Sequence, residues 1–321
     1  MFDKVSLKIK QPGVIAIAVL AVLLFALPFF LSEYNIYLIN EVLVLALFAY
    51  GWNLLFSYTG YLSFGSAAFY GLGAYTVALM YRDVSSSLWL AFLAAIIVSA
   101  ISGAIIGFFC IRLTRLYFAL LTLAFATMIY SIVFRWVSFT GGDNGIPGVP
   151  RSLIDFHFFV VNLAPSTHYY YFTLIVFLLS VFICWRLVIS PFGYTIKQIR
   201  DNSERADFTG LNVRWYAWIT FVISSSLCGL AGALASPLRG MAEPGLLFWV
   251  NSIEPVMATL LGGLFNFAGP FVGAFVFIFL KSYLISFMGR VWTIAFGIIL
   301  MLLVLFFPSG ILGYLSKRLT R

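Results

Sequence analysis

Ten apolar runs, each about as long as a membrane-spanning helix, follow one another along this chain of 321 residues. A helix needs about 20 mostly apolar residues to cross a hydrocarbon core of roughly 30 Å. Charged residues make up only 9% of the sequence, against about 25% in an ordinary soluble domain, which excludes a soluble enzyme, a secreted module and a disordered chain. We therefore predict an all-α polytopic membrane protein, a single transmembrane domain over residues 1–321, with spans near 13–31, 36–56, 62–80, 88–110, 116–136, 169–189, 215–236, 250–266, 268–288 and 291–307.

The distribution of basic residues predicts the orientation of these spans. Successive crossings place 13 of the 19 Lys and Arg residues on the side that holds both chain ends. Because cytoplasmic loops of membrane proteins carry an excess of Lys and Arg, both termini are predicted to be cytoplasmic. The same rule accounts for the net charge of +8 without a dense basic run, so we predict no nucleic-acid partner.

The sequence lacks the residue sets that catalysis or nucleotide binding would need. It contains no G-x-x-x-x-G-K-[ST] phosphate loop, H-E-x-x-H, paired CxxC or G-x-S-x-G motif, so we predict no catalytic residue, no metal site and no cofactor bound by this chain. Glu33, Glu41 and Glu254 fall near predicted helix ends, which leaves a largely uncharged route across the membrane. Cys110, Cys184 and Cys228 lie in apolar runs, and we expect buried thiols rather than disulfides.

Each half of the chain contains a glycine-interrupted apolar segment: NLLFSYTGYLSFGSAAFYGLGAY at 53–75 and SIEPVMATLLGGLFNFAGPFVGA at 252–274. Broken helices in corresponding positions of two halves indicate a transport path, because freed backbone groups need a cavity or surrounding protein. The alternative is close helix packing through small residues. Lys281 either faces the path or extends to the outer interface. Our predicted path residues are Ser63, Gly65, Ser66, Thr122, Gly262 and Gly263.

Two loops stand out by their length. The outer loop, about 137–168, contains TGGDNGIPGVP at 140–150, whose Gly and Pro residues require turns. The inner loop, about 190–214, carries charges of alternating sign at four-residue spacing, such as Lys197 with Asp201 and Arg200 with Glu204. This pattern predicts two short helices, the second starting within 201–204 and stopping at Gly210. From spacing alone, a docking element and a solvated basic loop are equally good interpretations.

At these residues the sequence resembles the inner-membrane permease subunits of ATP-binding-cassette (ABC) importers for branched-chain amino acids, specifically the longer of the two permeases. The matching stretches follow the family order from residue 53 to 313: both glycine-interrupted segments, RLYFALLTLAFATMI at 115–129, TGGDNGIPGVP, SPFGYTIKQIRDNSERADFTGLN at 190–212, SSLCGLAGAL at 225–234 and FPSGILG at 307–313.

The resemblance implies a multi-pass protein of the bacterial inner membrane that works with two ATPase subunits, which hold ATP and Mg, a second permease and a periplasmic binding protein. The inner loop would be the coupling helices, with Gly193, Arg200, Asp201, Glu204, Ala206, Gly210 and Asn212 contacting an ATPase. The outer loop, at Gly141, Gly142, Asp143 and Asn144, would face the binding protein. Permeases for urea and short amides look similar, so the substrate stays open between these and branched-chain or other neutral amino acids.

A different class of function also fits the hydropathy. A stand-alone secondary carrier or channel would explain the apolar runs and the glycine interruptions equally well, but it leaves the inner loop without a partner. Co-purification separates the two hypotheses, because an importer permease is isolated with an ATPase whereas a carrier transports alone.

Overall fold

The computed structural model describes residues 24–25, 27–29, 31–84, 87–113, 115–151, 153–155, 160–306 and 310–319. The helices are α1 (Glu33–Thr59), α2 (Ser66–Leu79), α3 (Leu88–Cys110), α4 (Arg115–Arg135), the single turn α5 (Val137–Thr140), α6 (Ser166–Ile189), α7 (Pro191–Asp201), α8 (Ser203–Phe208), α9 (Val213–Arg239), α10 (Ile253–Gly262), α11 (Gly269–Met288), α12 (Trp292–Phe306) and α13 (Gly310–Leu319). Two antiparallel two-stranded sheets pair β1 (Ile146–Pro147) with β4 (Met241–Ala242) and β2 (Leu153–Asp155) with β3 (Val160–Asn162).

Six of these helices are long and apolar enough to cross a membrane: α1, α3, α4, α6, α9 and α11. They correspond to six of the ten predicted spans. The runs near 62–80, 250–266 and 291–307 form the shorter helices α2, α10 and α12. Residues 13–23, 26 and 30 of the first run, 13–31, lie outside the described residues, as does the whole chain before it.

Helix α1 is the centre of the bundle. In its most apolar 18-residue window 94% of the residues are buried, against 28% in α4 and in α11. A helix that is apolar all round belongs inside the protein, and α1 packs against α6, α9, α10 and α11. Within this helix the Ser57 hydroxyl donates to the side-chain oxygen of Asn53, so these two buried polar groups satisfy each other. The buried thiols of Cys110, Cys184 and Cys228 are free, as predicted.

Helix α3 shows how the outer helices divide their faces between protein and lipid. Small residues at four-residue intervals, Ala91, Ala95, Ser99 and Gly103, are buried towards the bundle. Large apolar residues on the same interval, Leu93, Ile97, Ile101 and Ile105, are each about half exposed. Apolar side chains of this size pointing outward are stable in lipid and costly in water.

Two long helices of 27 residues, α1 and α9, lie antiparallel at the core. The Ser224 hydroxyl of α9 donates to the Gly51 carbonyl of α1 at 2.6 Å, and Arg239 reaches Glu41 further along the pair. Each long helix is followed by a broken segment, 60–65 or 240–252, and then by a short helix, α2 or α10. The two halves therefore repeat one pattern in opposite directions.

The broken segments keep their backbone groups bonded inside the protein. Gly60 adopts φ +80° and ends α1. The indole N–H of Trp52 donates to the Ser63 carbonyl at 3.0 Å, and the Ser63 hydroxyl accepts from the Gly65 N–H at 3.2 Å. The Ala67 N–H, in the first turn of α2, donates to the Ser252 hydroxyl at 2.9 Å, beside the start of α10. The spans at 62–80 and 250–266 are interrupted, as the glycine pattern predicted: the first begins with non-helical backbone at 62–65, and the second leaves the helix at Gly263.

We predict that Gly73→Ala destabilises the protein by about 1–3 kcal/mol, the usual cost of overpacking a tight contact. A β-carbon at Gly73 would stand 1.9 Å from the Gly229 carbonyl oxygen, so α2 and α9 would have to separate. The measurement is the melting temperature of purified protein in detergent. Gly297→Ala is the matched control, since a β-carbon there meets nothing within 4 Å. Equal melting temperatures for both variants would contradict the packing.

Candidate functional site

The segment between α6 and α9 folds into two short helices with side-chain caps. At the start of α7 the Ser190 hydroxyl accepts from the Gly193 N–H at 3.3 Å, and Pro191 occupies the first helical position. At the start of α8 the Asn202 side-chain oxygen accepts from the Arg205 N–H at 2.9 Å. The predicted pair of helices is confirmed, with the second beginning after Asn202 and ending before Gly210, which adopts φ +83°.

Helix α7 is bonded to the ends of two membrane-spanning helices. Its apolar side chains Ile196 and Ile199 are fully buried. The Arg200 guanidinium donates to the Ser57 carbonyl at the end of α1, at 2.8 Å. A second contact comes from α4, where the Arg115 guanidinium donates to the Arg200 carbonyl at 3.0 Å. These hydrogen bonds connect α7 to both α1 and α4.

Charged residues of α7 make contacts that the spacing argument did not foresee. Arg200 pairs with its neighbour Asp201 at 2.8 Å instead of with Glu204, because α7 ends at Asp201 and Glu204 belongs to α8. The Lys197 ammonium donates to the Val188 carbonyl at 3.3 Å. Partial burial lowers the pKa of Lys197, and the charge of Arg200 lowers it further.

The seven residues assigned to ATPase contact divide into two sets. Gly193 and Ala206 are buried and Arg200 is half-buried, whereas the exposed members are Asp201, Glu204, Gly210 and Asn212. The Asn212 side chain also caps α9 by accepting from the Trp215 N–H at 3.1 Å. Sequence reasoning missed Phe208, which is 91% exposed at the end of α8. A large aromatic residue within an otherwise charged loop was the sequence feature that could have indicated an exposed contact residue.

The outer-loop residues lie at the other end of the bundle. Asp143 and Asn144 are exposed on a helical turn, Gly142–Asn144, and the strand that follows pairs with β4 just after α9. The Arg151 guanidinium donates to the Pro237 and Leu238 carbonyls, both at 3.3 Å, in the last turn of α9. A basic side chain there satisfies carbonyls that the helix leaves open. Of the loop's two histidines, His157 lies outside the described residues.

The six predicted path residues are all buried. Gly65 brings the first broken segment against α4, since a β-carbon there would stand 2.5 Å from the Thr122 carbonyl oxygen. Gly262 brings α10 against the start of α11, where the Gly269 carbonyl would be 1.8 Å away. Gly263 follows at the turn, and Ser63 and Ser66 flank Gly65. These contacts are those of close packing, and a role in transport stays a prediction.

A charged cavity of about 420 Å³ is lined by residues of α1, α2, α4, α9, α10 and α11 and of the segment between α9 and α10. Its lining includes Arg239, Glu243, Glu254 and Lys281. Lys281 pairs with Glu254 at 2.9 Å, so in this structure it faces inward. Glu254 is near a helix end, as predicted, but α10 begins inside the bundle. The largely uncharged route stays a prediction, and this cavity is a charged region apart from the predicted path residues.

A bundle with lipid-facing apolar helices and a charged cavity defines a multi-pass membrane protein of the transport class. Among the described residues no cluster of three or more His, Cys, Asp or Glu side chains could hold a metal ion.

Comparison with known proteins specifies the family. The sequence profile described as "Branched-chain amino acid transport system / permease component" matches residues 34–307. The high-affinity branched-chain amino acid transport system permease protein LivM of Salmonella typhimurium is 25% identical over 94% of this chain and 75% of its own length. LivM of Escherichia coli is 25% identical over 95% and 75%, and LivH of Salmonella typhimurium 24% identical over 84% and 91%. No solved structure matches the chain.

This chain therefore belongs to the branched-chain amino acid transport permease family. It is a permease component of an ABC transport system, and so a transport subunit rather than an enzyme.

We predict that Asn202→Ala loosens α8 by about 1 kcal/mol, the typical loss when a helix cap is removed. The amides of 203–208 should then exchange hydrogen about fivefold faster, since 1.4 kcal/mol corresponds to a factor of ten. Hydrogen exchange followed by mass spectrometry measures the rate. Asn202→Asp keeps an acceptor at the cap and should exchange at the parent rate. If the Ala and Asp variants exchange alike, the cap does not hold α8.

Proposed function

We propose that this chain is one of two permeases that together form the path of an ABC importer in a bacterial inner membrane. Two separate ATPase subunits bind ATP and Mg and supply the energy, and a periplasmic binding protein delivers the solute. The chain itself holds no nucleotide, in keeping with the absence of a phosphate loop from its sequence. The substrate class is that of the relatives' names, branched-chain amino acids.

The observation that carries this proposal is the α7–α8 segment. Helix α7 is anchored to the ends of α1 and α4 by Arg200 and Arg115. Helix α8 presents Glu204 and the 91% exposed Phe208 away from the bundle. Aromatic side chains are enriched among the residues that dominate protein interfaces. A segment fixed on one side and exposed on the other is suited to transmit movement from a docked subunit.

We further propose that the α7 end of the bundle is cytoplasmic and that both termini lie on that side. The basic residues of 190–214 support this orientation through the positive-inside rule. The ten crossings of this topology are the six long helices, the three short helices α2, α10 and α12, and the first apolar run, 13–31. The loop at Gly141–Asn144 would face the periplasm and the binding protein.

In this mechanism ATP binding draws two ATPase subunits together and moves the docked α7–α8 segments. Because α7 is bonded to α1 and α4, the movement reaches the helices that surround the path. The path then alternates between outward and inward openings, each favoured by a different nucleotide state.

Purification followed by reconstitution tests the proposal. The tagged chain, expressed with its neighbouring genes, should be isolated with an ATPase and a second permease, and the complex should accumulate leucine in proteoliposomes only with ATP and binding protein. Accumulation by this chain alone would instead support a secondary carrier. If the complex accumulates urea and not leucine, the substrate class is urea and short amides instead of branched-chain amino acids.

We predict that Glu204→Lys lowers ATP-dependent uptake at least tenfold while leaving the amount of inserted permease unchanged. The substitution reverses an exposed charge on the face of α8 that we propose contacts the ATPase, and reversing a charge at a matched contact weakens it. Transport into proteoliposomes is the measurement. Glu33→Lys is the matched control, because Glu33 is exposed at the far end of α1. Parent-level uptake by Glu204→Lys with the ATPase attached would remove the coupling assignment.

Gly210→Leu is expected to abolish uptake in the same assay. Gly210 has a positive φ that a branched side chain rarely adopts, although a β-carbon there meets nothing within 4 Å. The variant therefore changes the exit from α8 without disturbing the bundle, and its melting temperature should equal that of the parent. Normal uptake by a stable variant would show that this turn does not act in coupling.

A further inference from the structure

The charged cavity is assembled from parts of the chain that are far apart in sequence. Arg239 ends α9, Glu243 lies in the broken segment, Glu254 is in the first turn of α10 and Lys281 is in the middle of α11. Beside the cavity, Glu41 of α1 lies 4.0 Å from Arg239 and accepts from the Tyr37 hydroxyl at 3.1 Å. The cavity therefore presents positive and negative groups together.

Placing these charged side chains inside the bundle costs free energy. Ionisable side chains within membrane-spanning segments cost several kcal/mol unless they are paired or hydrated, and they mark functional pathways. Arg239 and Glu254 each suit the helix terminus at which they lie. A helix terminus does not explain Lys281, because this residue lies in the interior of α11. Its ammonium group pairs with Glu254 at 2.9 Å, and about 30% of each side chain is exposed.

Four aromatic residues also line the cavity, together with smaller apolar and polar residues of the broken segment. Phe48 of α1 stacks on Tyr70 of α2 with ring centroids 4.6 Å apart, and Tyr130 of α4 lies 5.3 Å from Phe248. The volume of about 420 Å³ falls within the range of small-molecule sites, about 300–1,000 Å³. Charged groups of both signs together with aromatic rings match a small zwitterion with an apolar side chain.

We propose that this cavity is a substrate site on the translocation path for zwitterionic amino acids. The substrate carboxylate is bound by Arg239 and Lys281, its ammonium by Glu254 and Glu243, and its side chain by Phe48 and Tyr70. The inference rests on the proposed function and assigns a site within it.

The ion pair explains how such a site releases its ligand. In the empty cavity Lys281 and Glu254 neutralise each other, so neither is left as a buried unpaired charge. When a zwitterionic ligand binds, the internal ion pair is replaced by two ion pairs with the ligand, one at its carboxylate and one at its ammonium group. When the substrate leaves, the internal pair forms again and competes against rebinding, which gives the weak affinity that transport requires.

The first test is the double variant Glu254→Gln/Lys281→Met in the assembled transporter. Both charges are removed together, so the protein gains no unpaired charge and should fold. Leucine uptake should fall at least tenfold, while ATP hydrolysis stimulated by the loaded binding protein stays within twofold of the parent. The matched control is Arg82→Gln/Asp83→Asn, which removes an exposed ion pair of 2.8 Å outside the cavity and should leave uptake unchanged.

The outcomes separate this inference from the proposed function. Parent-level uptake by the double variant would show that the pair is only structural and would overturn the site, leaving the permease assignment intact. Failure of the unmodified assembly to transport leucine would instead contradict the proposed function.

A cysteine-protection experiment decides the matter if the double variant does not fold. Asn251→Cys introduces a thiol into the cavity wall, whereas Cys110, Cys184 and Cys228 are buried. Millimolar leucine should slow reaction of this thiol with a small charged reagent severalfold and should not slow Asp83→Cys. Equal rates with and without leucine, or protection by urea instead of leucine, would overturn the proposal.

Discussion

The backbone carbonyl of Ser57, in the last turn of the most buried helix, accepts a hydrogen bond from Arg200 of α7 at 2.8 Å. A hydrogen bond from a charged donor is worth more than a neutral one, typically about 1.5–3 kcal/mol. The Arg115 contact to the Arg200 carbonyl closes the connection from α4. Through these two bonds a short polar helix outside the apolar bundle is fixed to its central element. An energy-coupled permease needs such a connection, because its motor is a separate protein.

The antiparallel pair α1 and α9 determines where the cavity forms. Helix α1 is followed by the non-helical segment 60–65, and α9 by strand β4 and two 3-10 turns, Pro244–Leu247 and Trp249–Ser252, before α2 and α10 begin. That geometry brings Glu254, at the start of α10, into reach of Lys281, and Arg239, at the end of α9, into reach of Glu41. A continuous helix in place of the broken segment 240–252 would carry these charges elsewhere. The breaks and the charged cavity are thus one feature of the fold.

Much of this architecture could be predicted from sequence because membrane helices are specified by composition and length. The six long helices coincide with apolar runs, and the two helices of 190–212 follow from cap residues and charge spacing. The predicted spans 62–80 and 250–266 extend into the broken segments because hydropathy does not report backbone conformation. The charged cavity was missed for another reason. Glu41 and Arg239 are 198 residues apart in the chain, and the lone Lys281 in an apolar run gives no sign that Glu254 is its partner.

The central claim is that α7 transmits movement to α1 through Arg200. The most direct measurement is the number of leucine molecules imported per ATP hydrolysed by the assembled transporter carrying Arg200→Met, a side chain of similar length without donors. With the contact to Ser57 lost, we expect the ATPase to remain attached and active while leucine imported per ATP falls at least tenfold. An unchanged ratio of transport to hydrolysis in that variant would contradict it.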